Sequence, residues 1–199
     1  MFDLRQCATS GCDKTALYQS EFCAVHHPDP QAYADEALAS MERQLEIRDR
    51  NYAGLRFEGA NLAGKRFHSC SFSNAVLKNV IFSSCVFRMC FFDFCDSDSC
   101  DFSDIDAQFC SFAGARLLGA TFERSELVHD NFDGAMTTEC TFNKSNLYNS
   151  RFIMAEFEKT DFIDCNLKRS FIIPAKEIDV SWRLSNTAEA IHNLEGLDP

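Results

Sequence analysis

The sequence contains no apolar run of about 18 residues or more, so no membrane-spanning helix is expected. Nor does an apolar stretch of signal-peptide type follow Met1, and secretion is not expected. Phosphate-loop and dinucleotide fingerprints are both missing. Positive charge is in deficit: 19 Lys and Arg stand against 30 Asp and Glu, a net charge of -11. That balance argues against direct nucleic-acid binding through phosphate neutralisation. The acidity is spread, with −4 on residues 1–51, −4 on 52–172 and −3 on 173–199, so it is not an acidic tail.

What the chain has in quantity is phenylalanine and cysteine, 20 and 11 residues. From Tyr52 to Ile172 every fifth residue is large and apolar with few exceptions: Phe57, Leu62, Phe67, Phe72, Leu77, Phe82 and onward to Phe162 and Leu167. The departures are Ser97, Ala107 and Thr137. Two residues before each central position sits something small, as in Ala60, Cys70, Ala75, Val80 and Cys85. Eight cysteines fall on that inward position, where a free thiol acts as a small hydrophobe. Cysteines five apart face different walls and are not expected to pair, which points to a reducing, cytoplasmic compartment.

A period of five fits neither a helix face nor an alternating strand. One core can receive every fifth side chain only if the chain turns a corner after each unit. Four corners close a square coil of 20 residues, and stacked coils pair about 4.8 Å apart. Residues 10 apart then lie on opposite walls. One wall reads Leu62, Phe82, Phe102, Phe122, Phe142, Phe162, and the opposite wall Phe72, Phe92, Phe112, Phe132, Phe152, Ile172. The other two walls hold far fewer rings, so a square interior is filled without overpacking.

Ala60-Asn61-Leu62-Ala63-Gly64, Ala120-Thr121-Phe122-Glu123-Arg124 and Ser145-Asn146-Leu147-Tyr148-Asn149 resemble the pentapeptide-repeat consensus of Ala, Asp or Asn, Leu or Phe, and two free positions. The resemblance implies an all-β solenoid: a right-handed, four-sided parallel β-helix of about six coils, about 29 Å long.

Both ends of such a stack need covers. Asp29 and Pro30 read as N-cap and first residue of a helix whose apolar face is Tyr33, Ala37, Leu38, Met41 and Leu45. At the far end Pro174 reads as the break in the repeat. A short helix over 187–194, stopped by Gly196, would bring Leu184, Ala188, Ile191 and Leu194 over the last coil. The division is 1–28 a Cys/His module, 29–50 a capping helix, 51–173 the repeats, and 174–199 a C-terminal cap. In some proteins of the resembling family that end joins two subunits, so monomer and end-to-end homodimer both stay open.

Three cysteines lie outside the five-residue phase: Cys7, Cys12 and Cys23, followed by His26 and His27. Three thiolates and an imidazole are the donor set of a closed structural zinc site. About 28 residues cannot build a core of their own, which a metal staple remedies. The predicted ligands are Cys7, Cys12, Cys23 and His26, with His26 preferred over His27 for its two-residue spacing from Cys23. No catalytic residue or organic cofactor is assigned, since flat walls offer no cleft.

The function expected is a non-enzymatic scaffold binding a protein partner through its walls or N-terminal module, with Phe91, Phe94, Phe109, Ile153 and Met154 as candidate contacts. Some members of the resembling family imitate duplex DNA and bind gyrase or related topoisomerases, protecting against quinolones or toxins. That alternative needs carboxylates striped along the rod, whereas Asp93, Asp96, Asp98, Asp101, Asp104 and Asp106 form a belt around one coil. A second alternative is a switch that releases zinc on thiol oxidation.

Overall fold

In the computed structural model, residues 5–193 are described. Helix α1 (Pro30–Arg43) precedes fourteen three-residue strands from Glu46–Arg48 to Lys176–Ile178, which build a parallel β-solenoid of about seven turns. Asp29 caps the helix as expected, its carboxylate accepting from the Ala32 N–H at 2.9 Å with Pro30 in the first turn.

Strand partners are 20 residues apart throughout. Arg56–Glu58 pairs Val76–Lys78, which pairs Asp96–Asp98, in a wall of seven strands. Isolated bridges continue the same step from Asn51 through Ser71, Phe91, Ser111 and Asn131 to Arg151. Following the chain round a coil gives four walls. The first holds Ile47, Phe67 and Phe87; the second Tyr52, Phe72 and Phe92; the third Phe57, Leu77 and Ser97; the fourth Leu62, Phe82 and Phe102.

The rings of the second and fourth walls form two columns. Within a column they stack: Phe92 on Phe112 at 4.7 Å and 3°, and Phe122 on Phe142 at 4.7 Å and 1°. Between columns they meet edge to face, as Phe112 and Phe122 do at 5.6 Å and 86°. Both geometries suit the ring quadrupole. Beside the rings, inward thiols and hydroxyls close the backbone account by donating to the carbonyl 23 residues earlier: Cys85 to Leu62 (3.0 Å), Ser145 to Phe122 (2.6 Å), Cys165 to Phe142 (3.0 Å). Burial pushes the Cys85 thiol up to about 12 and Cys140 to about 11, so these cysteines are inert packing groups.

The coil count is one higher than the six expected. Ile47 is buried in phase ahead of Tyr52, and Glu46–Arg48 pairs Arg66–His68, so the first strand lies inside the segment assigned to the capping helix. Leu45, read as part of the helix face, is exposed. At the far end Pro174 does not stop the coil, and Lys176–Ile178 pairs Glu156–Glu158. Its counterpart one coil earlier, Met154, donates its N–H to the Ile173 carbonyl. Among the described residues, only Ile191 continues the pairing on that wall beyond Pro174, so a missing N–H there costs little.

The C-terminal helix is a single 3-10 turn, Thr187–Glu189, and Leu184 is exposed; Leu194 and Gly196 lie outside the described residues. The cover is instead Trp182, in phase with the repeat and stacked on Phe162 at 4.3 Å and 11°.

Candidate metal centre

Two turns build the centre. Cys7 begins a hairpin in which its N–H reaches the Lys14 carbonyl and Gln6 pairs Thr15. The return runs through Gly11 at φ 77, a left-handed conformation that favours glycine, and brings Cys12 back by its N–H to the Thr9 carbonyl. The second turn follows Cys23, whose carbonyl accepts from the N–H groups of both His26 and His27.

These turns place one donor atom each from Cys7, Cys12, Cys23 and His26 within 4.8 Å of one another. His26 Nδ1 lies 3.5 Å from both Cys7 Sγ and Cys23 Sγ, and Cys12 Sγ lies 3.9 Å from Cys23 Sγ. A tetrahedral ion with bonds of ~2.3 Å to sulfur and ~2.0 Å to nitrogen has edges of ~3.8 Å between sulfurs and ~3.6 Å from sulfur to nitrogen. These three spacings match, and the remaining ones lie within 4.8 Å. A disulfide needs sulfurs ~2.05 Å apart, and all three thiols are free. Burial pushes Cys7 up, but N–H donors at Cys23 and Thr9, with the Thr9 hydroxyl and His26, hold it down to about 5. A thiol held so low supplies the thiolate a metal takes. His27 serves elsewhere: its Nδ1 accepts from the Asp29 N–H at 3.2 Å and its ring lies 5.1 Å from that of Tyr33.

The module is fastened to the first coil. Buried Asn51 donates from Nδ2 to the Ala16 carbonyl at 2.7 Å, and its own carbonyl accepts from the Tyr18 N–H at 3.1 Å. Ala24 presses on Gly54, where a Cβ would come within 3.1 Å of the alanine methyl. Sequence reading did not single out Asn51; it looks like any consensus Asn until the module is seen seated on it.

The candidate contact residues border the second wall. Phe94, Phe109 and Met154 are 66%, 60% and 64% exposed at its corners, while Phe91 and Ile153 are half-buried on its face. Phe109 stacks on His129 at 5.1 Å and 8°, and Phe94 lies over Gly114, whose missing Cβ gives the ring its place. A hollow of about 480 Å³ separates the module from this wall, with Cys23, Ala24 and Val25 on one side and Ser71, Ser73 and Phe91 on the other. Sequence reading missed Val25, because its position beside the wall depends on how the module docks.

The family model described as pentapeptide repeats matches in 8 copies, over residues 53–88, 100–136 and 131–169. No curated protein matches the chain. Among solved structures, HetL, a pentapeptide repeat protein involved in heterocyst differentiation regulation from the cyanobacterium Nostoc sp. strain PCC 7120, is 12% identical, covering 80% of this chain and 96% of its own, with a TM-score of 0.34. QnrB1, a plasmid-mediated fluoroquinolone resistance protein, is 21% identical, covering 67% and 84%, with a TM-score of 0.37. Rfr23 from the cyanobacterium Cyanothece 51142 is 14% identical, covering 80% and 99%, with a TM-score of 0.30. Likenesses this distant carry nothing about a partner. The family match covers just over half of the chain, and the chain belongs to the pentapeptide-repeat family.

Proposed function

We propose that the protein is a non-enzymatic scaffold whose zinc-stapled N-terminal module and adjoining second wall together hold a protein partner. Zinc is the ion that suits three thiolates and an imidazole at these spacings, and with four protein ligands it leaves no open position for catalysis. The observation that carries the reading is the hollow between module and wall, whose lining includes Asn74, the corner residue one coil before exposed Phe94. Phe94 and Phe109 sit at left-handed corners, φ 55 and 56. A non-glycine residue there costs about 1–2 kcal/mol, and exposed rings recover little of it by burial. Most other corners carry polar residues at the same φ, so exposed rings at these two suit a surface that is covered when a partner binds.

The reading as a DNA mimic finds less support. Several acidic side chains are neutralised within the rod by bases one coil away: Asp104 by Arg124 at 2.8 Å, Asp106 by Arg88 at 2.5 Å and Glu139 by Lys159 at 3.1 Å. Such pairs interrupt the stripe of free carboxylate that mimicry requires.

A photo-crosslinking residue in place of Val25 tests the proposal in cells. One saturable protein adduct is expected, competed by untagged protein and lost in Phe94→Asp. The same adduct from a probe at Ser83, on the fourth wall, would remove the assignment to this face.

A further inference from the structure

On the other side of the module lies a second hollow, of about 600 Å³, where the loop at Tyr18, helix α1 and the first coil meet. We propose that it is a binding site for a small phosphomonoester carrying a planar ring, of mononucleotide size. The proposal goes beyond the scaffold reading and does not depend on it.

Charge is the first argument. Arg48, Arg56, Arg88, Arg124 and Arg151 each hold a carboxylate. Arg43 and Arg50 form no ion pair among the described residues, as Arg66, Arg116, Arg169 and Arg183 also do not, but these two alone line one hollow together. In a chain with a net charge of -11, two guanidiniums around one hollow without carboxylate partners are a local reversal of sign. One acidic side chain, Glu36, also lines it, which limits how many ligand charges the site can balance.

Preorganisation is the second. The Arg50 guanidinium lies 3.7 Å above the Tyr18 ring. Tyr18 is in turn fixed by its N–H to the Asn51 carbonyl (3.1 Å) and by the Tyr33 hydroxyl, which donates to its carbonyl (2.5 Å). A stacked guanidinium keeps its N–H edge in plane, the geometry that meets a phosphate bidentately.

Donor chemistry is the third. Because His27 Nδ1 accepts from the Asp29 N–H, the hydrogen of the neutral ring sits on Nε2, which donates. The Ser40 hydroxyl already accepts from Gln44 Nε2 at 2.8 Å, so its own hydrogen is free for an acceptor. Arginines, His27 and Ser40 are all donors, and the dianion of a phosphomonoester, its main form above its second pKa of about 6, only accepts. The hollow exceeds a bare phosphate, and sites of about 300–1,000 Å³ take small organic ligands. The rings of Tyr33 and His27 offer apolar surface to the organic part.

Calorimetric titration of the full, metal-loaded chain with adenosine 5′-monophosphate, adenosine and inorganic phosphate tests this. Saturable binding of the monophosphate is expected, with adenosine at least about tenfold weaker. Arg43→Gln, which leaves the Arg50–Tyr18 stack in place, should weaken the monophosphate about tenfold or more at unchanged metal content. Arg50→Gln should do the same. The proposal is overturned if the monophosphate fails to saturate below about 10 mM, or if Arg43→Gln binds it like the parent. Inorganic phosphate saturating where the monophosphate does not would also overturn it.

Discussion

Asp130 shows what a single residue costs in this fold. It stands in the inward column Cys70, Cys90, Cys110, Asp130, Ser150, Ser170, where the neighbours are small. Its Oδ1 accepts from the Cys110 N–H at 2.7 Å, but its buried Oδ2 has no partner. Burial, opposed by the Cys110 N–H and by Arg88, pushes the carboxyl up to about 8. The next residue along does the same task without penalty: Ser150 accepts from the Asp130 N–H at 3.0 Å and donates to the Leu127 carbonyl at 2.5 Å. Serine at 130 would accept from Cys110 and, by the same 23-residue step, donate to the Ala107 carbonyl. A folded value raised above the unfolded ~3.9 means that the folded state holds more protons, so stability falls as pH rises between the two values. The cost is absent below pH ~4, grows toward pH 8 and is complete above it. Asp130→Ser should therefore stabilise the protein, with a gain that rises by on the order of a few kcal/mol between pH 5 and 8.5. Urea unfolding of both proteins at several pH values measures it. A gain that stays flat with pH would mean that the carboxyl is not held protonated.

Among the elements, the N-terminal module is the one whose stability depends on something other than the repeat. It contributes Leu17 to the common core, with Ala24 packed against Gly54, and is otherwise held by the four candidate ligands, by Asn51 and by the contacts of Tyr18 with Tyr33 and Arg50. Removing metal with a chelator is expected to strip hydrogen-exchange protection from residues 5–28 while leaving the strands from Arg66 onward protected. Cys12→Ser should reproduce the loss without chelator. If neither treatment alters exchange in residues 5–28, the cluster is four neighbouring side chains and not a staple. The donor set was legible in the sequence because Cys7, Cys12 and Cys23 break the five-residue phase that accounts for every other cysteine. The walls were legible because each unit sends one large side chain inward, two residues after a small one. The first and last coils were not: Ile47 is in phase but follows what looks like a continuous helix, and Glu177 and Pro174 do not resemble core residues. The hollows on either side of the module were also unreadable, since they exist only where three separated segments meet, and no local pattern encodes that meeting.

At the scale of the whole molecule, a solenoid is a stack of nearest-neighbour contacts, and its stability is a sum over adjacent coils rather than one shared core. The middle coils are favoured twice, by pairing on both sides and by rings stacked above and below, as Phe112 is between Phe92 and Phe132. The last coil has a neighbour on one side only, and its strand Lys176–Ile178 is exposed at all three residues. Trp182 bridges the two regions, being the single tryptophan and lying on the end of the fourth-wall ring column. Its fluorescence therefore reports the last coil, while far-ultraviolet circular dichroism reports the whole rod. In urea the fluorescence transition is expected at a lower midpoint than the dichroism transition, because the terminal coil frays first. Trp182→Phe keeps a ring on Phe162 and should leave the dichroism midpoint nearly unchanged. Trp182→Ala removes the cover at a local cost below the ~3–5 kcal/mol of a fully buried ring, because Trp182 is only half-buried, and protection should be lost first from the strand Phe171–Ile173 at that end of the stack. Coincident midpoints for the two probes in the parent protein would show instead that the rod unfolds as one cooperative unit, with its ring columns coupling the coils more strongly than pairwise stacking allows.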